Sequence, residues 1–167
     1  MHNLIPFLVI IFLCFSVNAK DFIQNAKLIG QGSLYYFIWH VYDVSLYSEN
    51  NFSFDKLFFL TFNYKRKLYG KKIADRSAKE IRKLGFKDEV KLAGWHSQMR
   101  DIFPDVKDGS SLTGVYKQDK STVFYNDKSR IGIIKDPKFG KWFFGIWLNK
   151  NTSEPGLRKA LLRGVNV

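Results

Sequence analysis

The order of patterned segments predicts an α+β protein in which an antiparallel sheet carries helices gathered on one face. Three observations lead there. Strand-like and helix-like stretches come in blocks (strands, helices, strands, helices) rather than in strict alternation. The second strand block is short-stranded, with turn-like Gln118-Asp119-Lys120 and Asn126-Asp127-Lys128 between its members, which reads as a meander. Finally, residues 138–162 hold a helix too apolar to stand in water, followed by a capped amphipathic one, and that pair needs a sheet to lie on. At 167 residues one domain is expected, and 46% hydrophobic with 17% aromatic content is ample for a packed core.

Taken in order, the first strand is expected over Ala26 to Tyr35. Its Gly30-Gln31-Gly32 is too short for a dinucleotide fingerprint and lacks the third glycine, so it reads as a bulge or a close crossing within the strand. Tyr36 to Tyr47 is rich in aromatic and β-branched residues and apolar on both faces in its first half, the pattern of a central strand. Leu57 to Tyr64 is the third strand. A helix from Lys71 places Ile73, Ser77, Ile81 and Leu84 on one face and ends at Gly85. A second starts at Asp88, a good cap, and runs to Phe103 before Pro104. Its stripe is Leu92, Trp95, His96, Met99, Ile102 and Phe103. Strands then follow over Leu112 to Lys117, Thr122 to Asn126 and Arg130 to Ile134.

In the next helix Phe139, Trp142, Phe143, Ile146 and Trp147 make one apolar face, and Phe144 and Leu148 widen it to most of the circumference. Burial on more than one side is the expectation. Thr152 or Ser153 can cap the last helix, Pro155 is tolerated in its first turn, and Gly164 is its stop.

The N-terminus has a different character. Residues 1–19 hold no Lys, Arg, Asp or Glu, Leu4 to Val17 is almost wholly apolar, and Val17-Asn18-Ala19 offers small side chains where a signal peptidase reads. A cleaved export signal over 1–19 is expected, leaving residues 20–167 as the mature domain in the periplasm or secreted. The apolar run is short for a retained anchor. Cys14 is the sole cysteine, so a mature chain has no disulfide, thiol nucleophile or cysteine-ligated metal.

The formal net charge is +12, concentrated at Lys65-Arg66-Lys67, Lys71-Lys72 and Arg82-Lys83. Such a balance fits an anionic partner, either a ligand carboxylate or the acidic headgroups of a membrane touched peripherally, and equally a merely solvated face. No zinc spacing, helix-turn-helix or RNP-like motif is present, so nucleic acid is not expected as a partner. His40 and His96 are the histidines beyond residue 19, without acidic residues at ligand spacing. No metal or other cofactor is therefore expected, and His96 reads as a hydrogen-bonded residue at the core edge. Arg66 follows a strand and Arg76 lies on the next helix. Either is a surface cation first and a ligand-carboxylate partner second.

Taken together, GQGSLYYFIWHVYDVSLY, RSAKEI, FPDVKDGSSLTGVY and GKWFFGIWLNKNTSEPGLRKALL resemble the secreted bacterial branch of the chalcone isomerase-like family, over roughly residues 26 to 162. The resemblance implies an open-faced antiparallel β-sandwich with helices packed on one face, over a concave sheet. The family's plant enzymes close a flavanone ring, using an early-strand arginine to hold an oxyanion, with a lysine, a tyrosine, an asparagine and a hydroxyl residue completing the cleft. Here no arginine occurs from Lys20 to Tyr64, the lysine position falls near Leu60, and the asparagine position falls near Arg76. Tyr69 is the candidate for the tyrosine, with an amphipathic strand-to-helix corner as its structural reading. Thr152 is the candidate for the hydroxyl, with a helix cap as its structural reading.

The resemblance therefore implies a non-catalytic, exported binding protein for a small apolar, anionic ligand such as a fatty acid, with Arg66, Tyr69, Arg76 and Thr152 as candidate ligand-binding residues. No catalytic residue is assigned. A chalcone isomerase-type intramolecular lyase with a rearranged site is the alternative. A structural or partner-binding protein, its cleft plugged by Trp142 or Trp147, is the third reading.

Overall fold

The computed structural model describes residues 25–49, 51–127 and 129–165, so the segment read as an export signal, Cys14 included, lies outside the described residues. Six strands form one antiparallel sheet in the order β1-β2-β3-β4-β5-β6: β1 (Lys27–Tyr36), β2 (Trp39–Ser48), β3 (Phe58–Tyr64), β4 (Ser111–Tyr116), β5 (Thr122–Asn126) and β6 (Arg130–Ile134). The helices are α1 (Gly70–Lys83) and α2 (Glu89–Ile102), between β3 and β4, then α3 (Phe139–Leu148) and α4 (Pro155–Leu161). This is the α+β, open-sheet architecture that the segment order predicts.

Alternation along the strands sends one set of side chains to the helices. Phe58, Leu60, Phe62 and Tyr64 of β3 belong to the main core with α1, α2 and α3, whereas Phe59 belongs to a small cluster on the other face with Val115, Val123 and Tyr125. α3 is packed over the sheet as its sequence requires. Phe139, Phe143, Phe144, Trp147 and Leu148 are all buried, and Phe144 stands edge-on to Phe58 at 5.0 Å. α2 begins as expected, Asp88 accepting from the Lys91 backbone N–H at 2.9 Å, and α1 ends at Gly85 with φ +102°, the backbone region that favours glycine.

The glycine pair of β1 serves both readings given to it. A bulge falls between Leu28 and Gly30, and α4 crosses the strand there so closely that a Cβ on Gly30 would lie 2.3 Å from the Leu161 carbonyl oxygen.

Two sequence expectations need correction. Tyr36 to Tyr47 is not one strand: Phe37 and Ile38 form a two-residue turn between the paired Tyr36 and Trp39, and the burial of β2 lies in its second half, from Val44 onward. The apolar residues of the first half are the tip of a hairpin that extends into solvent. The cap of α4 is Glu154, not Thr152 or Ser153. The Thr152 hydroxyl instead donates to the Ile146 carbonyl at 2.5 Å and accepts from the Glu154 N–H at 3.1 Å, closing the α3–α4 turn.

Candidate functional site: an apolar cavity with a basic mouth

Between the concave face of the sheet and helices α1 and α3 lies a cavity of about 490 Å³, within the size range of small-molecule sites. The meander places Leu34, Tyr42, Phe62, Tyr64, Leu112 and Phe124 on its sheet side. α1 contributes Ile73, Arg76, Ser77 and Glu80, because these positions fall on one helical face. α3 contributes Phe143, Ile146 and Trp147, and the turn before α4 adds Ser153 and Glu154. The lining residues that are also exposed, Tyr35, Tyr36, Lys67, Lys72, Arg76 and Ser153, mark the mouth together with the half-buried Arg66.

The polar groups inside are few. Tyr42 is half-buried, and its phenolic oxygen accepts from Trp147 Nε1 at 2.9 Å. Burial pushes both the Tyr42 and Tyr64 phenols well up, so each is a neutral O–H at any physiological pH. The Tyr64 hydroxyl has no hydrogen-bond partner among the described residues, which leaves its proton for an acceptor in the cavity. Glu80 is the one deeply buried carboxylate of the lining. Burial opposes its ionisation, but hydrogen bonds from Ser153 (2.6 Å) and Lys83 (2.9 Å), with the Arg76 charge, outweigh that and hold it below the usual range.

Of the sequence-predicted residues, Arg66 and Arg76 both line the cavity, and they differ in kind. Arg76 is already neutralised, its Nε lying 2.8 Å from Glu80 Oε1. Arg66 stacks over the Trp39 ring at 4.7 Å, and among the described residues no carboxylate lies within ion-pair distance of it. Tyr69 is outside the lining, more than half exposed at the N-terminus of α1 beneath Lys67 Nζ, and faces a separate shallow recess with Lys71, Lys72, Arg100 and Asp105. Thr152 is buried and outside the lining as well, both its hydrogen bonds going to backbone. Its neighbours Ser153 and Glu154 reach the cavity instead.

Sequence reasoning missed Tyr42, Tyr64 and Lys72. Tyr42 and Tyr64 end an i, i+2 alternation on paired strands (Tyr42 opposite Tyr64), a signal that can be read once the β2–β3 register is known. The cleft is not plugged by either tryptophan named for that role. Trp147 forms part of the wall, and Trp142 packs on Phe86 at 5.0 Å away from the cavity. What β1 and β2 present to the cavity is Leu34, Tyr35, Tyr36, Val41 and Tyr42, with no cation among them, so its positive charge comes only from the segment after β3 and from α1.

Among curated proteins none matches the sequence. Among solved structures the chain is similar to a fatty-acid binding protein of Arabidopsis thaliana, with a TM-score of 0.67 and 12% identity over 85% of this chain and 89% of that one. The model of chalcone isomerase-like proteins matches residues 16–163. An open antiparallel sheet roofed by aromatic helices, matched over nearly its whole length by that model, places the chain in the chalcone isomerase-like family.

Proposed function

We propose that the protein binds, without catalysis, one apolar molecule with an anionic head such as a fatty acid, and that it does so outside the cytoplasm. One observation carries this reading: a cavity walled by Leu, Ile, Phe and Trp side chains whose mouth holds an unpaired arginine and two lysines. The tail would lie under α3 and the carboxylate at the mouth, within reach of Arg66, Lys67 or Lys72. The printed name of the Arabidopsis thaliana relative as a fatty-acid binding protein supports the same ligand class. Apolar burial supplies most of the affinity, at roughly 25 cal/mol per Å² before ordering costs.

The headgroup contact is tested by titration calorimetry with palmitate and hexadecanol, which share a tail and differ in charge. A charge-assisted hydrogen bond contributes about 1.5–3 kcal/mol, so Arg66→Gln should weaken palmitate by about one to two decades and leave hexadecanol nearly unchanged. Arg76→Gln should have the smaller effect, because Glu80 already holds that charge. Equal loss for both ligands, or none for either, would remove Arg66 from the headgroup site.

Two companion expectations follow from the same reading. With no cation presented to the cavity by β1 or β2 to hold an enolate, hydroxychalcones should close no faster than in buffer, and stereoselective flavanone formation would sink the non-catalytic reading. Export of the chain predicts a mature N-terminus at Lys20, and mass spectrometry that finds residues 1–19 retained on the protein from its native source would contradict it.

A further inference from the structure

The tip of the β1–β2 hairpin is built against the rules for a tip in water. Two-residue hairpin turns favour Gly, Asn and Asp, and positive φ at the first central residue alone favours glycine there. Here that residue is Phe37, at φ 54°, followed by Ile38. Both are 85% exposed, and their flanks Tyr36 (60%) and Trp39 (54%) are exposed too. A bulky apolar residue in a left-handed conformation, its ring edge-on at 4.9 Å to a Tyr36 ring that is itself exposed, adds little to the fold. Beside this tip runs Lys65-Arg66-Lys67-Leu68-Tyr69-Gly70-Lys71-Lys72, five cations and no carboxylate in eight residues. The two are contiguous, with Arg66 over Trp39 and the Lys65 N–H bonded to the Val41 carbonyl at 3.0 Å. Asp43, the carboxylate on the hairpin, is occupied by Ser33, His40 and Lys65.

We propose that this hairpin tip is a docking element for an anionic lipid surface. Phe37 and Ile38 enter the headgroup–acyl boundary, Tyr36 and Trp39 lie at headgroup depth, and the cations of residues 65–72 meet the acidic lipids. Charge complementarity favours a bilayer over an apolar protein groove, since Arg66, Lys67 and Lys71, which have no carboxylate partner among the described residues while Lys65 and Lys72 pair with Asp43 and Asp75, would be left desolvated against the latter. The tip adjoins the cavity mouth, which Tyr35, Tyr36, Arg66 and Lys67 line. Docking would thus turn the mouth toward the membrane. The inference concerns the rim and not the cavity contents, so it stands or falls apart from the ligand class.

The test is co-sedimentation of the full chain with phosphatidylglycerol-containing vesicles and with pure phosphatidylcholine vesicles, for the wild type and for the double variant Phe37→Gly/Ile38→Ser. The new turn suits the observed backbone, so this variant should melt no lower than the wild type. It is expected to partition about tenfold or more weakly onto the anionic vesicles, while its palmitate affinity in solution is unchanged, because neither residue lines the cavity. Wild type should prefer anionic over neutral vesicles, and added salt should reduce that preference. Equal sedimentation of variant and wild type would overturn the proposal, since charge alone or the apolar stretch 4–17 would then carry the binding. Wild type remaining in the supernatant would overturn it too and assign the tip to a protein partner.

Discussion

Gly30→Val is expected to destabilise the fold by about 4 kcal/mol or more, at the far end of what single substitutions do. The reason is what stands in the way. A Cβ at Gly30 meets the carbonyl oxygens of Leu161 (2.3 Å) and Ala160 (2.4 Å), backbone atoms that cannot rotate aside. The helix must lift off the strand, and it carries with it Leu157 and Leu161, both buried in the main core, and the Gly164 N–H bond to Ile29. Gly32→Val is the comparison, because its nearest obstacle is Leu157 Cδ1 (2.6 Å), the end of a side chain that can rotate aside, while the fixed Ala160 Cβ stands farther off at 3.1 Å. Urea unfolding of the two variants should rank Gly30→Val well below Gly32→Val. A Gly30→Val loss under about 1 kcal/mol would mean that α4 is not held to β1 in the way described.

Ser77→Trp should abolish ligand binding, by about two decades or more in affinity, with only a modest change in stability. Ser77 faces the cavity from α1, its hydroxyl bonded only to the Ile73 carbonyl one turn back, so an indole at this position has about 490 Å³ of space to enter rather than a packed wall to displace. It would occupy the volume under α3 where the tail is placed. Ser77→Ala, which removes the hydroxyl and leaves the space, should bind as the wild type does. Calorimetry on both variants, with thermal melts as the check on folding, separates a blocked cavity from a damaged one. If Ser77→Trp still binds palmitate at wild-type affinity, the ligand does not lie between α1 and α3.

Most of the fold is written in local pattern. The stripe from Phe139 to Trp147 specifies a buried helix, Asp88 its cap for α2, Gly85 the end of α1, and the short strands after residue 110 their meander, since each depends on neighbours within a few residues. The errors lie where a residue type was read for its propensity and tertiary context decided otherwise. Tyr36-Phe37-Ile38-Trp39 has β-strand composition and forms a solvent-exposed turn. Thr152 has cap chemistry, yet its hydroxyl closes the turn ahead of Glu154.

The site was legible only in part for a related reason. Arg66 and Arg76 are recognisable in the sequence as cations near a strand end and a helix face, but Glu80, four residues after Arg76, is what distinguishes them, and its burial comes with tertiary packing that brings Ser153 of the turn before α4 onto it. Tyr42 and Tyr64 come together only through the β2–β3 register, which sequence periodicity does not set. Tyr69 follows the strand-to-helix corner that its sequence position implies, but stands on the exposed side of it.

Native mass spectrometry of delipidated protein mixed with equimolar palmitate tests most directly whether the space between sheet and helices is a ligand site. The expected spectrum shows a single one-to-one adduct on the wild type that is absent from Ser77→Trp. Wild type without an adduct, or one that persists equally on Ser77→Trp, would contradict a binding site between the concave sheet and its helices.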